Sequence, residues 1–217
     1  MKSTVIAVLF VALLALSNAK TANADVMTLT FEGAGDLQDV GDFYNGGPGG
    51  NYGVSFVGAD SWISSSAEGG SANFANAPSG VTAIALREFP SFTMNVYNGF
   101  VGMLTFFYAS PYVSASIAIY AGLNGSGELL ASAFLPITYS EFLPGQGYSP
   151  FVDWELGFEG VGLSAVFGIS PGRGNMFVDD ISFTPRDAAV PTPEPATALL
   201  LAAGLLGLTA ARRFKRR

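Results

Sequence analysis

Chemistry in this chain has to come from carboxylates, because its 217 residues include no histidine and no cysteine. That excludes a Ser-His-Asp triad, zinc held by imidazole or thiolate, a cysteine nucleophile and any disulfide. Three acidic groupings remain. Glu32, Asp179 and Asp180 are the metal candidates: calcium takes oxygen ligands only, and carboxylates with backbone carbonyls supply them. Strand alternation predicts Asp179 on the face of Phe177 and Ile181, with Asp180 on the opposite face. An aspartate on a core face is costly unless it is paired or metal-bound. Edge carboxylates that accept hydrogen bonds from turns are the other account of these residues. Asp153 and Glu155 flank Trp154, with Glu159 nearby, and paired carboxylates beside an aromatic ring are what a glycosidase needs. Two apart on one strand face they would stand about 7 Å apart, a spacing strand surfaces carry routinely. Trp154 is expected to face inward with Val152 and Leu156. Asp36, Asp39 and Asp42 lack the dense ligand pattern and closing glutamate of an EF-hand loop and read as a solvated loop. Trp62, in the polar stretch 59–66, could stack on a sugar ring or anchor a loop at the sandwich edge. No grouping makes a convincing enzyme, and none is expected.

The elements that must position these residues are short and extended. Val26–Glu32 alternates, with Met27, Leu29 and Phe31 on one face, and Tyr52, Val54 and Phe56 repeat the pattern. Further strands are predicted at 81–86, 92–97, 101–108, 113–120, 129–135, 151–156, 161–167 and 176–183. Period-two patterning, β-branched and aromatic residues, and regular Gly/Asn/Pro/Ser breaks predict an all-β, antiparallel β-sandwich. The cleanest strand is Val113–Tyr120, whose odd positions are apolar or small. Asn124-Gly125-Ser126-Gly127 marks a turn. The glycine-rich stretch Gly33–Gly53 has no lysine and no strand-loop-helix context for a nucleotide, and reads as a long flexible surface loop.

Both ends of the chain read as addresses. Lys2, the apolar stretch Val5–Leu16 and Ala22-Asn23-Ala24 form the n-region, h-region and cleavage site of a signal peptide. Cleavage is expected after residue 24, with 19 as a second candidate, by the general secretory route. At the other end, Pro193-Glu194-Pro195 precedes an uncharged run, 196–211, and then Arg212, Arg213, Lys215, Arg216 and Arg217. As a helix the run would be roughly 24 Å long, short against a hydrocarbon core of about 30 Å. A core helix would not end in such a cationic cluster. The arginines can snorkel, and the cluster should stay cytoplasmic, placing everything upstream on the far side.

These three parts, in this order, resemble the PEP-CTERM sorting signal of Gram-negative bacteria. The resemblance implies export, an inner-membrane intermediate, cleavage near Pro193-Glu194-Pro195 by an exosortase-type membrane protease, and a cell-surface or extracellular-matrix destination associated with exopolysaccharide or biofilm. An ordinary anchor that is never cut is the alternative. The resulting division is a signal peptide at 1–24, a β-sandwich domain at 25–187 and a sorting segment at 188–217.

The central segment has an unusual charge. Between Asp25 and Ala189 stand three cations, Arg87, Arg173 and Arg186, against sixteen acids, a net charge of −13. Such a surface should bind neither nucleic acid nor anionic lipid; it suits divalent cations or a protein that must stay soluble. Its opening, Thr30-Phe31-Glu32-Gly33, and its closing, Val178-Asp179-Asp180-Ile181, are similar to the ends of jelly-roll carbohydrate-binding modules. That resemblance implies adjacent first and last strands, with a carboxylate from each helping to hold a structural calcium ion. The expectation is therefore a non-catalytic surface or matrix protein. The alternative is a calcium-stabilised, lectin-like module contacting sugar through Trp62.

Overall fold

A computed structural model describes residues 25–186 except 66, 68, 75, 87–89, 139–150 and 171–175. The expected signal peptide, the Pro-Glu-Pro motif, the apolar run 196–211 and the basic end lie outside the described residues. Among the described residues no helix is long and apolar enough to cross a membrane.

The described strands are β1 (Met27–Leu29), β2 (Gln38–Asp39), β3 (Asn45–Gly47), β4 (Gly50–Asn51), β5 (Val54–Val57), β6 (Ala59–Ile63) and β7 (Thr82–Leu86). They continue with β8 (Ser91–Ala109), β9 (Ala115–Tyr120), β10 (Leu129–Leu135), β11 (Val152–Gly157), β12 (Gly162–Ile169) and β13 (Phe177–Pro185). All pairings between these strands are antiparallel.

The two expected strands 92–97 and 101–108 are one 19-residue strand, β8. Gly99 and Gly102 lie inside it at φ +80° and +81°, a conformation glycine adopts without steric cost. They mark the place where the strand changes partners. Its first half pairs with β5 and β12; its second half pairs with β11 and β13. One layer therefore runs β10-β9-β12-β8-β5. The other runs β11-β8-β13-β7-β6-β2, with β1 also on β13. Side chains from the two layers meet between them: Phe106 of β8 packs edge-to-face on Phe167 of β12, centroids 5.1 Å apart, and Phe31, just after β1, packs on Phe56 of β5. This is the expected antiparallel sandwich. Alternation works as predicted in β9, where Ala115, Ile117 and Ile119 are buried and Ser116 is exposed.

A second, smaller apolar cluster lies apart from the main core. Ala83 and Ala85 of β7 and Phe177 of β13 are buried with Ala72 and Phe74, while Trp62, Ala77 and Phe151 pack against them. Every residue of β7 is buried as a result.

The expected flexible loop Gly33–Gly53 is instead folded onto the sandwich. Val40 and Tyr44 belong to the main core, and β3 and β4 form a small hairpin. Glycine is needed there for space: a Cβ at Gly47 would meet the backbone oxygens of Asp42 and Phe43 at 2.7 and 2.9 Å.

Candidate functional site: the Glu32–Asp179–Asp180 cluster

The first and last strands do bring Glu32 and Asp179 together. β1 pairs with β13 through Met27–Phe183, Thr28–Ser182 and Leu29–Ile181, so Glu32 arrives beside Asp179 and Asp180. The third wall is the turn before β7. Glu32 Oε1 accepts the backbone N–H groups of Val81 and Thr82 at 3.0 and 2.8 Å. The Ser79 hydroxyl donates to Asp180 Oδ1 at 2.7 Å, and the Ser79 N–H reaches Asp179 Oδ2 at 3.5 Å. Asp179 Oδ1 accepts the N–H of Asp180 at 2.8 Å. Gly80, at φ +50°, leaves room for the Glu32 carboxylate, which a Cβ would overlap.

Alternation does not put Phe177 and Ile181 on one face, as the pattern predicted. Asp180 stands at φ +49° where the β13–β8 register shifts between Asp179 and Ser182. The bulge flips the parity of the strand. Val178 faces the main core before it and Ile181 and Phe183 face it afterwards, whereas Phe177 joins the smaller cluster. Asp179 sits at the crossover and is fully buried, while Asp180 is half-buried.

Burial has an electrostatic consequence. Desolvation pushes the Asp179 carboxyl up to about 8, with the neighbouring charges of Asp180 and Glu32 adding to the rise and the N–H groups of Asp180 and Ser79 opposing it. At neutral pH Asp179 is therefore protonated. Tyr44 closes the cluster from the hairpin side. Its hydroxyl accepts the Phe31 N–H at 2.6 Å, and burial, with the Asp179 charge contributing, pushes it up to about 12. Phe31 itself is held at φ +60°, a strained conformation for an aromatic residue.

The donor chemistry is all oxygen, as calcium requires. The geometry is less accommodating: among the described residues no three acidic side chains stand close enough together to hold a metal. Backbone N–H groups already engage Glu32 Oε1 and Asp179 Oδ1, the arrangement of the turn-capping account.

The other candidates are dispersed. Asp153 and Glu155 are exposed on β11, while Val152, Trp154 and Leu156 turn toward the core, as alternation predicted. Asp36 Oδ1 accepts the Ile63 N–H at 2.8 Å, and Asp42 Oδ1 accepts from Asn45 Nδ2 at 3.1 Å, so one member of that acidic run fixes backbone and another a side chain. Trp62 is half-buried on β6 and packs edge-to-face on Phe177 at 6.4 Å. Its indole N–H is buried without a hydrogen-bond partner. The roles of Ser79, Gly80 and Tyr44 were not anticipated. A Ser-Gly pair immediately before a strand was the available signal for the first two.

The sandwich resembles solved structures at low identity. One cleaved adhesin domain of Lys-gingipain superposes with a TM-score of 0.50 at 12% identity, covering 74% of this chain and 99% of that domain. A second such domain, from Porphyromonas gingivalis, gives 0.45 at 10% identity, with 73% and 97% covered. A variant of a family 29 carbohydrate-binding module gives 0.41 at 13% identity, with 74% and 92% covered. The first of these shows a shared fold. No curated protein matches the chain. Residues 191–217, however, match the family described as the PEP-CTERM protein-sorting motif, and the chain is thereby one that carries this sorting motif behind a β-sandwich.

Proposed function

We propose that this is a non-catalytic exported protein. Its precursor is held in the inner membrane by the apolar run 196–211 and cut near Pro193-Glu194-Pro195 by an exosortase-type protease. The mature jelly-roll-like sandwich is then delivered to the cell surface or the exopolysaccharide matrix of a Gram-negative bacterium. The observation that carries this reading is the sorting-motif match at 191–217. The acidic central segment supports it, since sixteen acids against three cations keep a surface protein soluble and let divalent cations bridge it to anionic glycan. The test is expression of the full chain in an exosortase-bearing host and in the same host lacking the protease. Mass spectrometry of the surface fraction should find the protein without its basic tail only in the first, and Glu194→Ala should trap the precursor in the membrane. Identical processing in both hosts refutes the reading.

A calcium-stabilised carbohydrate-binding module is the second reading. The observation favouring it is the fully buried carboxylate of Asp179, which meets the same turn before β7 as Glu32 does. Glu32, Asp179 and Asp180 would hold the ion, which would supply positive charge where Asp179 otherwise keeps a proton. Trp62 would contribute its exposed edge to sugar contact. Calorimetric titration of the exported protein with its host's exopolysaccharide, with calcium and with chelator, tests it. Saturable heat that Trp62→Ala removes supports the module; a flat titration with folded protein rejects it for that glycan.

A further inference from the structure

We infer that β10 is a self-pairing edge through which two copies of this chain join their sheets. β10 ends its layer: β9 lies on one side, and no described strand pairs with the other. Free edges are normally guarded by lysine, proline or inward-pointing charge. Leu129–Leu135 reads Leu-Leu-Ala-Ser-Ala-Phe-Leu and has none of these. Phe134 is 65% exposed and Leu129 51%.

The sequence of the strand identifies the occupant. Its ladder with β9 is regular over Ala131–Leu135, with a register shift between Leu129 and Ala131 and Pro136 just beyond the other end. An antiparallel pairing of two such segments about Ala133 uses all five regular residues. It sets Ala131 opposite the second copy's Leu135, Ser132 opposite its Phe134, and Ala133 opposite itself. Each large side chain meets a small one, and opposed residues share a face. Ser132 and Phe134 are the exposed pair; Ala131, Ala133 and Leu135 point the other way. One step further, Leu130 would oppose Pro136, which has no N–H to give. The bulge and the proline thus end the ladder at the same step, and at both ends, because the axis is two-fold. Self-complementarity of this kind is what an isologous interface requires.

Charge favours the same partner surface. The central segment carries net −13, so copies repel one another over most approaches, whereas this stripe is uncharged. No acid lies within Leu129–Leu135, so none meets another across the paired edge. The two five-strand layers would become one continuous ten-strand sheet.

Sedimentation of the full chain in detergent micelles, compared across variants, tests the inference. The wild type should be dimeric. Ser132→Lys with Phe134→Lys should be monomeric, since lysines then oppose each other twice across the axis. Ser132→Lys with Phe134→Glu should restore the dimer, which separates pairing from misfolding and from any association through the apolar tail. The chain has no cysteine, so a single introduced thiol reports the register. Ala133→Cys should give several-fold more oxidised covalent dimer than Ser132→Cys. A monomeric wild type, or a double-lysine variant as dimeric as the wild type, overturns the inference.

Discussion

Replacing Asp179 by asparagine should stabilise the protein at neutral pH and do nothing at acid pH. The folded molecule holds the Asp179 proton up to about pH 8, while the unfolded chain releases it near the ordinary value of 3.8. Below about pH 4 both states are protonated and the site contributes its full stability. Between the two values the unfolded state binds fewer protons, so stability falls as pH rises, by about 1.4 kcal/mol per unit. Across the whole window, from 3.8 to about 8, the loss is on the order of 6 kcal/mol. For a domain of this size about 1 kcal/mol moves the melting temperature by roughly 2–4 °C, so the site alone should cost roughly 3–5 °C per pH unit. Asparagine keeps the acceptor for the Asp180 N–H and gives up only the long contact from Ser79, at 3.5 Å. Its neutral side chain therefore mimics the protonated native residue at every pH. Thermal unfolding in chelator should show wild type and Asp179→Asn coinciding near pH 4 and diverging to pH 8, the variant melting higher. A constant difference, or a variant less stable throughout, refutes the protonated-aspartate account. Added calcium supplies the second arm: if Asp179 ligates it, the wild type alone should gain stability at pH 8.

Three further substitutions probe how the cluster, and one turn elsewhere in the sandwich, are held. Gly80→Ala, at φ +50° against the Glu32 carboxylate, should lower stability by about 1–3 kcal/mol, read as a shifted urea midpoint. Tyr44→Phe strands the buried Phe31 N–H that its hydroxyl accepts at 2.6 Å and should cost about 1–3 kcal/mol by the same measurement. Asn95→Ala removes two bonds with Asn124: Asn95 Nδ2 donates to Asn124 Oδ1 at 2.9 Å, and Asn95 Oδ1 accepts the Asn124 N–H at 2.8 Å. Hydrogen exchange at Asn124 should then quicken at least tenfold, matching a loss of about 1.4 kcal/mol or more.

What could be read from sequence, and what could not, follows the range of the forces involved. Alternation is local, so β9 and β11 were legible residue by residue, including the inward turn of Trp154 and the exposure of Asp153 and Glu155. A bulge is also local, but its signal was a single Asp at a left-handed position; aspartate tolerates that conformation without requiring it, and nothing nearby announced the flip in parity. The same limit hid the continuity of β8. Gly99 and Gly102 looked like a break between strands because glycine ends strands as readily as it bends them. Only the partners on either side, β5 and β12 before and β11 and β13 after, decide which it does.

The site shows the contrast most sharply. That Glu32 would meet Asp179 came from analogy with other sandwiches; the structure pairs β1 with β13 and sets both carboxylates against the turn before β7. The fate of the carboxylates depended on Ser79 and Gly80, which reach the cluster across a separation of 100 residues. A buried aspartate admits two solutions, a cation or a proton, and which one holds is set by how many donors surround it. Glycine at 80 lets Glu32 approach the turn closely enough to take two N–H groups for itself, leaving Asp179 with one short donor and one long one. Partial satisfaction beside two like charges is what favours the proton, so the same turn that orders the cluster also makes it sensitive to pH.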